Sequence, residues 1–328
     1  MPKIVRFHSI GGPENLKLED VVSREPGEGE VKLRVQAVGL NRAEALFLRG
    51  QYGGPPELPS RIGYEAAGVV ESVGPGVNAS WVGKKVATIP GFSMSKNGVL
   101  GEEATVPEAS LGEYPAKLSP VEAAAIWMQY LTAYGALITF GSMKRGDFVL
   151  ITAASSSVGI AAIQMVNAEG ATPIAATRKS NKRDELLSLG APHVVVTEEE
   201  DLVKRVMEIT GGNGARVTFD PVGGPALEKL AQAAAFEGII FEYGGLSMQP
   251  TPFPMIALGK GLTIRGYTLM ELRRDPQLLK TAKQYVFDRL QDGRFQPKIA
   301  KTFPLAQSVE AYQYLESNQQ VGKVVITV

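Results

Sequence analysis

DFVLITAASSSVG, residues 147–159, decides the fold. Its apolar run Phe148-Val-Leu-Ile151 is too short for a helix and breaks at once into small residues, followed by a longer apolar-periodic segment. That order is the strand–turn–helix unit of a parallel sheet. In the dinucleotide-binding version of the unit, one glycine makes the tight turn, a second admits the pyrophosphate and a third lets the helix pack on the strand. Counting back from Gly159, those slots hold Ala154, Ser156 and Gly159, so only the packing glycine is present. Alanine costs little in the first slot if φ stays negative. Serine hydroxyls add to the backbone N–H groups and positive helix end that attract phosphate. Taken alone, the stretch is equally well a serine-rich connection with no ligand.

The residues downstream repeat the unit. A helix from about Val158 to Asn167 closes at Gly170, a strand runs Pro173 to Thr177, and a further helix closes at Gly190. Strands at His193–Thr197, Arg216–Asp220 and Ile239–Tyr243 alternate with helices at Leu202–Ile209 and Ala226–Ala235. This βαβ repetition predicts a doubly wound parallel sheet with helices on both faces. The second strand ends in Thr177-Arg-Lys-Ser-Asn-Lys-Arg183, with no acid before Asp184. An NAD site places a carboxylate there for the ribose hydroxyls, whereas four cations in six residues suit a 2′-phosphate. The expected cofactor is therefore NADP(H), held by Ala154, Ser155, Ser156, Val158 and Gly159 of the turn. Arg178 is the first choice for the 2′-phosphate and Lys182 the second, with a hydroxyl from Thr177 or Ser180. A solvated helix start is the competing account of the same cations.

Upstream of residue 118 the texture is different. Short strand-like runs at 3–7, 31–38, 68–73 and 85–89 are separated by Gly11-Gly-Pro13, Gly53-Gly-Pro-Pro56 and Gly74-Pro-Gly76. They predict a β-rich, barrel-like domain. Ser119-Pro-Val-Glu122 is a capping box with proline at the first helical position, and it starts a helical segment. A helix over about 277–290 precedes a last strand, Val324-Val-Ile-Thr-Val328, placed to return to the barrel. The expected division is 1–125 with 265–328, and 126–264 for the nucleotide domain.

Composition narrows the function. At 44% hydrophobic and 21% charged residues, the 328-residue chain can bury two cores without a partner. Its 34 basic and 34 acidic residues cancel, leaving no electrostatic footprint for nucleic acid or an anionic membrane. A small, largely uncharged substrate is expected instead. No cysteine is present, which removes disulfides, thiolate nucleophiles and cysteine-ligated metals. The start has no signal-peptide layout and no apolar stretch approaches membrane-spanning length, so a cytoplasmic location is expected. The two histidines, His8 and His193, fall in predicted strands and are read as structural or exposed.

Several segments in a fixed order resemble one family. They are Ala37-Val-Gly-Leu-Asn-Arg-Ala-Glu44, Gly63-Tyr-Glu-Ala-Ala-Gly-Val-Val-Glu-Ser-Val-Gly74, Gln129-Tyr-Leu-Thr-Ala-Tyr-Gly-Ala136, the 152–159 turn, Asp220-Pro-Val-Gly-Gly224 and Gly322-Lys-Val-Val325. Together they resemble the medium-chain dehydrogenase/reductase superfamily, in its zinc-free quinone oxidoreductase and enoyl reductase branch. The resemblance runs over essentially the whole chain. It implies a GroES-like barrel domain and a Rossmann domain with the active site in the cleft between them, and a homodimer. Where zinc-dependent relatives carry cysteine, histidine and cysteine, this chain has Asn41, Tyr64 and Met128, so no metal is expected. Without a Lewis acid an alcohol is a poor substrate. Quinones and α,β-unsaturated carbonyls take a hydride from NADPH with only a hydrogen-bond donor or proton source nearby.

The resemblance assigns catalysis to Tyr52, as proton donor, and to Asn41, facing the substrate carbonyl or the nicotinamide ribose. Tyr64, Trp127 and Met128 are expected to line the substrate pocket. Thr132, Tyr243, Gly244, Gly245 and Lys323 are expected near the cofactor. Each has a plainer account: Tyr52 packed on the Gly53-Gly-Pro55 turn, Asn41 stabilising its loop, Trp127 and Met128 filling a helix core. Two other functions remain open, an alcohol dehydrogenase with an unusual or absent metal and a non-catalytic NADPH-binding protein.

Overall fold

Strands whose residues are apolar at every position, rather than at every second one, must be covered on both faces. Five mostly buried strands and a more exposed sixth at the edge build the sheet expected from residues 147–159. In the computed structural model, which describes residues 1–328, they are the parallel strands of the second of two units, formed by Gln129–Gln296. The first unit comprises Met1–Met128 and Pro297–Val328.

The first unit carries strands β1 (Lys3–Phe7), β2 (Leu16–Asp20), β3 (Glu30–Gly39), β4 (Ser60–Arg61), β5 (Glu65–Val73), β6 (Lys85–Thr88), β7 (Glu103–Pro107) and β8 (Leu111–Gly112). The second carries β9 (Phe148–Ile151), β10 (Thr172–Thr177), β11 (His193–Val196), β12 (Ala215–Asp220), β13 (Ala234–Glu242) and β14 (Thr263–Gly266). The chain then returns to the first unit with β15 (Ile299–Pro304) and β16 (Lys323–Thr327). In the first unit β16 pairs antiparallel with β3, and β3 with β5, in the sheet order β15-β16-β3-β5-β6-β8. A small sheet, β2-β1-β4, lies beside that order. The late strand does rejoin the barrel, as its position predicts.

In the second unit the order is β11-β10-β9-β12-β13-β14. It reverses between β9 and β12, and ligands of open α/β sheets bind beyond the strand ends at such a reversal. Leu150, Ile174, Val195, Leu230 and Ile240 are among the buried residues that pack the helices against the sheet.

The boundary near 265 needs correction. β14 adds to the parallel sheet through Ile239↔Thr263 to Glu242↔Gly266, and the helix Pro276–Gln291 stays in that unit. Phe295 stacks on Tyr130 at 4.8 Å, so the crossing falls at Pro297. The first boundary, at 128, lies close to the expected 125. No helix is long and apolar enough to cross a membrane.

Candidate functional site

The 152–159 turn begins on Thr152, whose hydroxyl is bonded to Asp220 at the end of β12. The left-handed residue is Ala153, at φ 44°, one position before the expected slot at Ala154. Ala154 is fully buried, its N–H donating to Ala176. Ser156 caps the helix Ser157–Ala168: its hydroxyl oxygen accepts from the Gly159 N–H at 3.0 Å. A Cβ on Gly159 would lie 2.6 Å from the Ala154 carbonyl oxygen, so helix and turn meet only with glycine there. The N–H groups of Ser157 and Val158, at the positive helix end, have no partner within the protein. That leaves the donors a phosphate needs.

The cations after β10 separate. Arg183 pairs with Glu200, and the Ser180 hydroxyl donates to Glu199 at 2.7 Å, so neither is poised for a ligand. Lys182 reaches across to the turn, its Nζ donating to the Ser155 hydroxyl at 3.2 Å. Burial and then the neighbouring Arg178 charge lower the Lys182 pKa, which places the two cations close together. Thr177 is buried at the strand end. The structure therefore brings Lys182, Ser155 and the helix start together, with Arg178 near enough to Lys182 for its charge to be felt there. These residues suit a 2′-phosphorylated dinucleotide.

At the end of β13, Tyr243 stacks on Phe219 at 4.0 Å and its N–H donates to the Asp220 carbonyl. Burial, then the Asp220 charge, pushes its hydroxyl well above the ordinary tyrosine range. A Cβ on Gly244 would sit 2.7 Å from the Pro221 carbonyl, whereas Gly245 faces open space. Thr132 is buried in the helix Trp127–Tyr134.

The first unit holds the other candidates. Glu44 is fully buried and accepts from the Asn41 N–H (3.0 Å), the Asn41 side-chain amide (3.2 Å), the Tyr64 N–H (3.0 Å) and the Tyr312 hydroxyl (2.9 Å). Burial nonetheless raises its pKa. Lys323, 1% exposed, donates to the Asn41 amide oxygen and to Glu65, both at 2.6 Å. The second Glu65 oxygen accepts from the Met128 N–H at 3.0 Å. Both ends of the Asn41 amide are thus spent inside the unit, which speaks for orienting this loop rather than for direct contact with a carbonyl. Lys323 has likewise found a buried structural partner. Glu44 was missed by sequence reasoning, although the Asn41-x-x-Glu44 spacing at a helix start is the available signal.

Tyr52, Tyr64 and Phe92 form an edge-to-face series, with ring centroids 6.4 Å and 5.5 Å apart. They line a cavity of about 270 Å³ together with Phe47, Pro55 and Met94, and its polar side chains are Glu57, Ser93 and Ser95. Burial, then the Glu44 charge, raises the Tyr52 pKa, so its hydroxyl keeps its proton at neutral pH. Trp127 and Met128, expected beside Tyr64, do not line this cavity. The Trp127 ring packs on Gly112, and its indole N–H is buried without an acceptor.

Residues 27–116 match the alcohol dehydrogenase GroES-like domain and residues 157–284 the zinc-binding dehydrogenase family. A 2-haloacrylate reductase from a Burkholderia species is 30% identical, covering 98% of this chain and 97% of its own length. A quinone oxidoreductase structure from Pseudomonas syringae pv. tomato superposes with a TM-score of 0.91 at 29% identity over 100% of both chains. The Escherichia coli quinone oxidoreductase complexed with NADPH gives 0.90 at 28%, over 99% of this chain and 100% of that one. This two-unit chain belongs to the medium-chain dehydrogenase/reductase superfamily. Within it, the chain falls in the quinone oxidoreductase branch.

Zinc, which one of those family descriptions carries, does not fit these residues. Asn41, Tyr64 and Met128 offer an amide, a phenol and a thioether, and the amide oxygen already accepts from the Lys323 ammonium, a poor neighbour for a cation. No group of three or more His, Cys, Asp or Glu is arranged to hold a metal.

Proposed function

We propose that this protein is a zinc-independent, NADPH-dependent oxidoreductase that delivers hydride to a quinone or an activated alkene. The observation that carries the reading is the aromatic cavity of Tyr52, Tyr64 and Phe92, a slot for a flat, uncharged acceptor with a protonated phenol in its wall. NADPH, when bound, supplies the hydride. The helix start with Ser157 and Val158 would hold its pyrophosphate, Lys182 and Arg178 its 2′-phosphate, and Tyr243, Gly244, Gly245 and Thr132 would serve its nicotinamide end. Tyr52 gives its proton to the carbanion or enolate left by hydride addition and is reprotonated from solvent. Asn41 and Lys323 act one step back, holding the loop before the Arg42–Leu48 helix that carries Phe47 into the cavity. The NADPH in the E. coli structure and the alkene in the name of the Burkholderia relative support the two halves of this reading.

The test is NADPH oxidation, followed by absorbance, with a panel of benzoquinone, naphthoquinone, cyclohexenone, an enal, an enoyl thioester and a secondary alcohol in reverse. Turnover of at least one quinone or enone, unchanged by a chelator, is expected. Tight NADPH binding with no turnover would favour a binding protein, and chelator-sensitive alcohol oxidation would favour the alcohol dehydrogenase reading. Tyr52→Phe should slow alkene reduction about 10- to 100-fold and spare quinones, whose products solvent can protonate.

We also propose a homodimer. β14 is an edge strand paired on one side only, and Phe236, Phe253, Met255 and Leu258 stand exposed in the same unit. Antiparallel pairing of β14 with its own copy would be self-complementary and would cover such a patch.

A further inference from the structure

Asp220 and Glu242 sit in register at the C-terminal ends of the neighbouring strands β12 and β13, with their carboxyl groups facing each other. Asp220 is fully buried, and both its oxygens have donors, the Thr152 hydroxyl and the Gly223 N–H at 2.7 Å. Glu242 has none: its two oxygens are sealed from solvent and accept no hydrogen bond. Two carboxylates without a donor between them repel strongly, and a shared proton removes the conflict. The asymmetry of donors says where it resides, since the carboxylate holding two donors stays ionised and the one holding none stays neutral.

Nothing else near Glu242 offsets a charge there. Tyr243, its neighbour, also lies close to Asp220 and is neutral. On β14 the opposing residue is Gly266, and the loop after β13 places the hydroxyls of Ser247 and Thr251 around Gly223 and Gly224. Arg265 belongs with Phe241 on the opposite face, over Phe140, and is paired with Glu271. Burial, and after it the Asp220 charge, pushes the Glu242 carboxyl up to about 8.

We propose that Asp220 and Glu242 hold one proton between them, and that this proton sets the affinity of the phosphate-binding turn for NADPH. With Glu242 neutral, its O–H donates to Asp220, which anchors Thr152 at the root of the turn. Release of the proton to solvent leaves a second buried anion behind Thr152, at the root of the turn that would take the cofactor's phosphates. Glu242 is therefore a positioning residue for the cofactor, and the inference rests on the NADPH reading above.

The test is the dissociation constant of NADPH and of NADH, read by nicotinamide fluorescence from pH 6 to 9.5, for the full chain and for Glu242→Gln. Both cofactors should lose roughly tenfold in affinity in the unsubstituted protein with a midpoint near 8, and the glutamine variant should stay nearly flat. A fall that Glu242→Gln retains in full overturns the proposal. So does a fall confined to NADPH, because that signature belongs to Lys182 losing its charge beside the 2′-phosphate. Infrared spectroscopy supplies a reading independent of cofactor: a protonated-carboxyl band at pH 7 that titrates away above pH 8 and is missing from Glu242→Gln. Absence of that band overturns the shared proton. Failure of either cofactor to bind at pH 6 instead overturns the NADPH reading, and the gating with it, whatever the infrared band shows.

Discussion

Lys182 and Arg178 lie one helical turn apart in sequence, yet only Lys182 spans the distance from the end of β10 to Ser155 on the phosphate turn. That difference predicts that Lys182→Ala raises the NADPH dissociation constant about tenfold or more and leaves NADH within about twofold, measured by fluorescence titration. Equal losses for both cofactors would remove the 2′-phosphate assignment. Composition alone indicates a cation site after β10. It does not say that Arg183 is tied to Glu200 and that Ser180 bonds to Glu199, because both partners arrive from the turn after β11. A second residue of this kind is Lys323. Lys323→Met would leave Glu65 buried without its cation and the Asn41 oxygen without its donor, a loss of about 3–5 kcal/mol that thermal melting would show as a fall of 10 °C or so.

The strand–turn–helix element 147–159 was legible almost to the residue, because a short apolar strand, a cap and a packing glycine are each local signals. Its strain was not: Ala153, not Ala154, takes the left-handed conformation. Gly159→Ala should cost about 1–3 kcal/mol, since the added methyl meets the Ala154 backbone rather than a side chain that could swing away. The ends of β12 and β13 yield a pH dependence. Glu242 is near 8 in the folded chain against 4.5 when exposed, so the folded state holds a proton that the unfolded state releases across that interval. Its stabilising proton is fully in place below about pH 4.5 and its benefit is lost as pH rises to about 8. Glu242→Gln has no such proton to lose. Melting curves of the two proteins should therefore coincide near pH 4.5 and separate by a few °C at pH 8.5, with the glutamine variant the more stable.

Across the whole molecule, the second unit combines the one-sided edge strand β14 with exposed Phe253 and Leu258, and Leu258→Glu with Phe253→Glu should convert a dimer to monomer in light scattering after size exclusion. A monomeric parent protein would remove that proposal. The sequence by itself determined the two folds, the return of the last strand, the cofactor class and the unsuitability of the zinc positions, since all of these rest on local periodicity, turn chemistry and residue type. Tertiary structure alone decided that β14 and the helix after it stay with the parallel sheet until Pro297. It alone brought Asn41, Glu44, Glu65 and Lys323 into one buried network, gathered Tyr52, Tyr64 and Phe92 around a cavity, and set Asp220 against Glu242. The physical reason is distance along the chain: 282 residues separate Lys323 from Asn41, and no local pattern records which polar group will meet which once water is excluded between them.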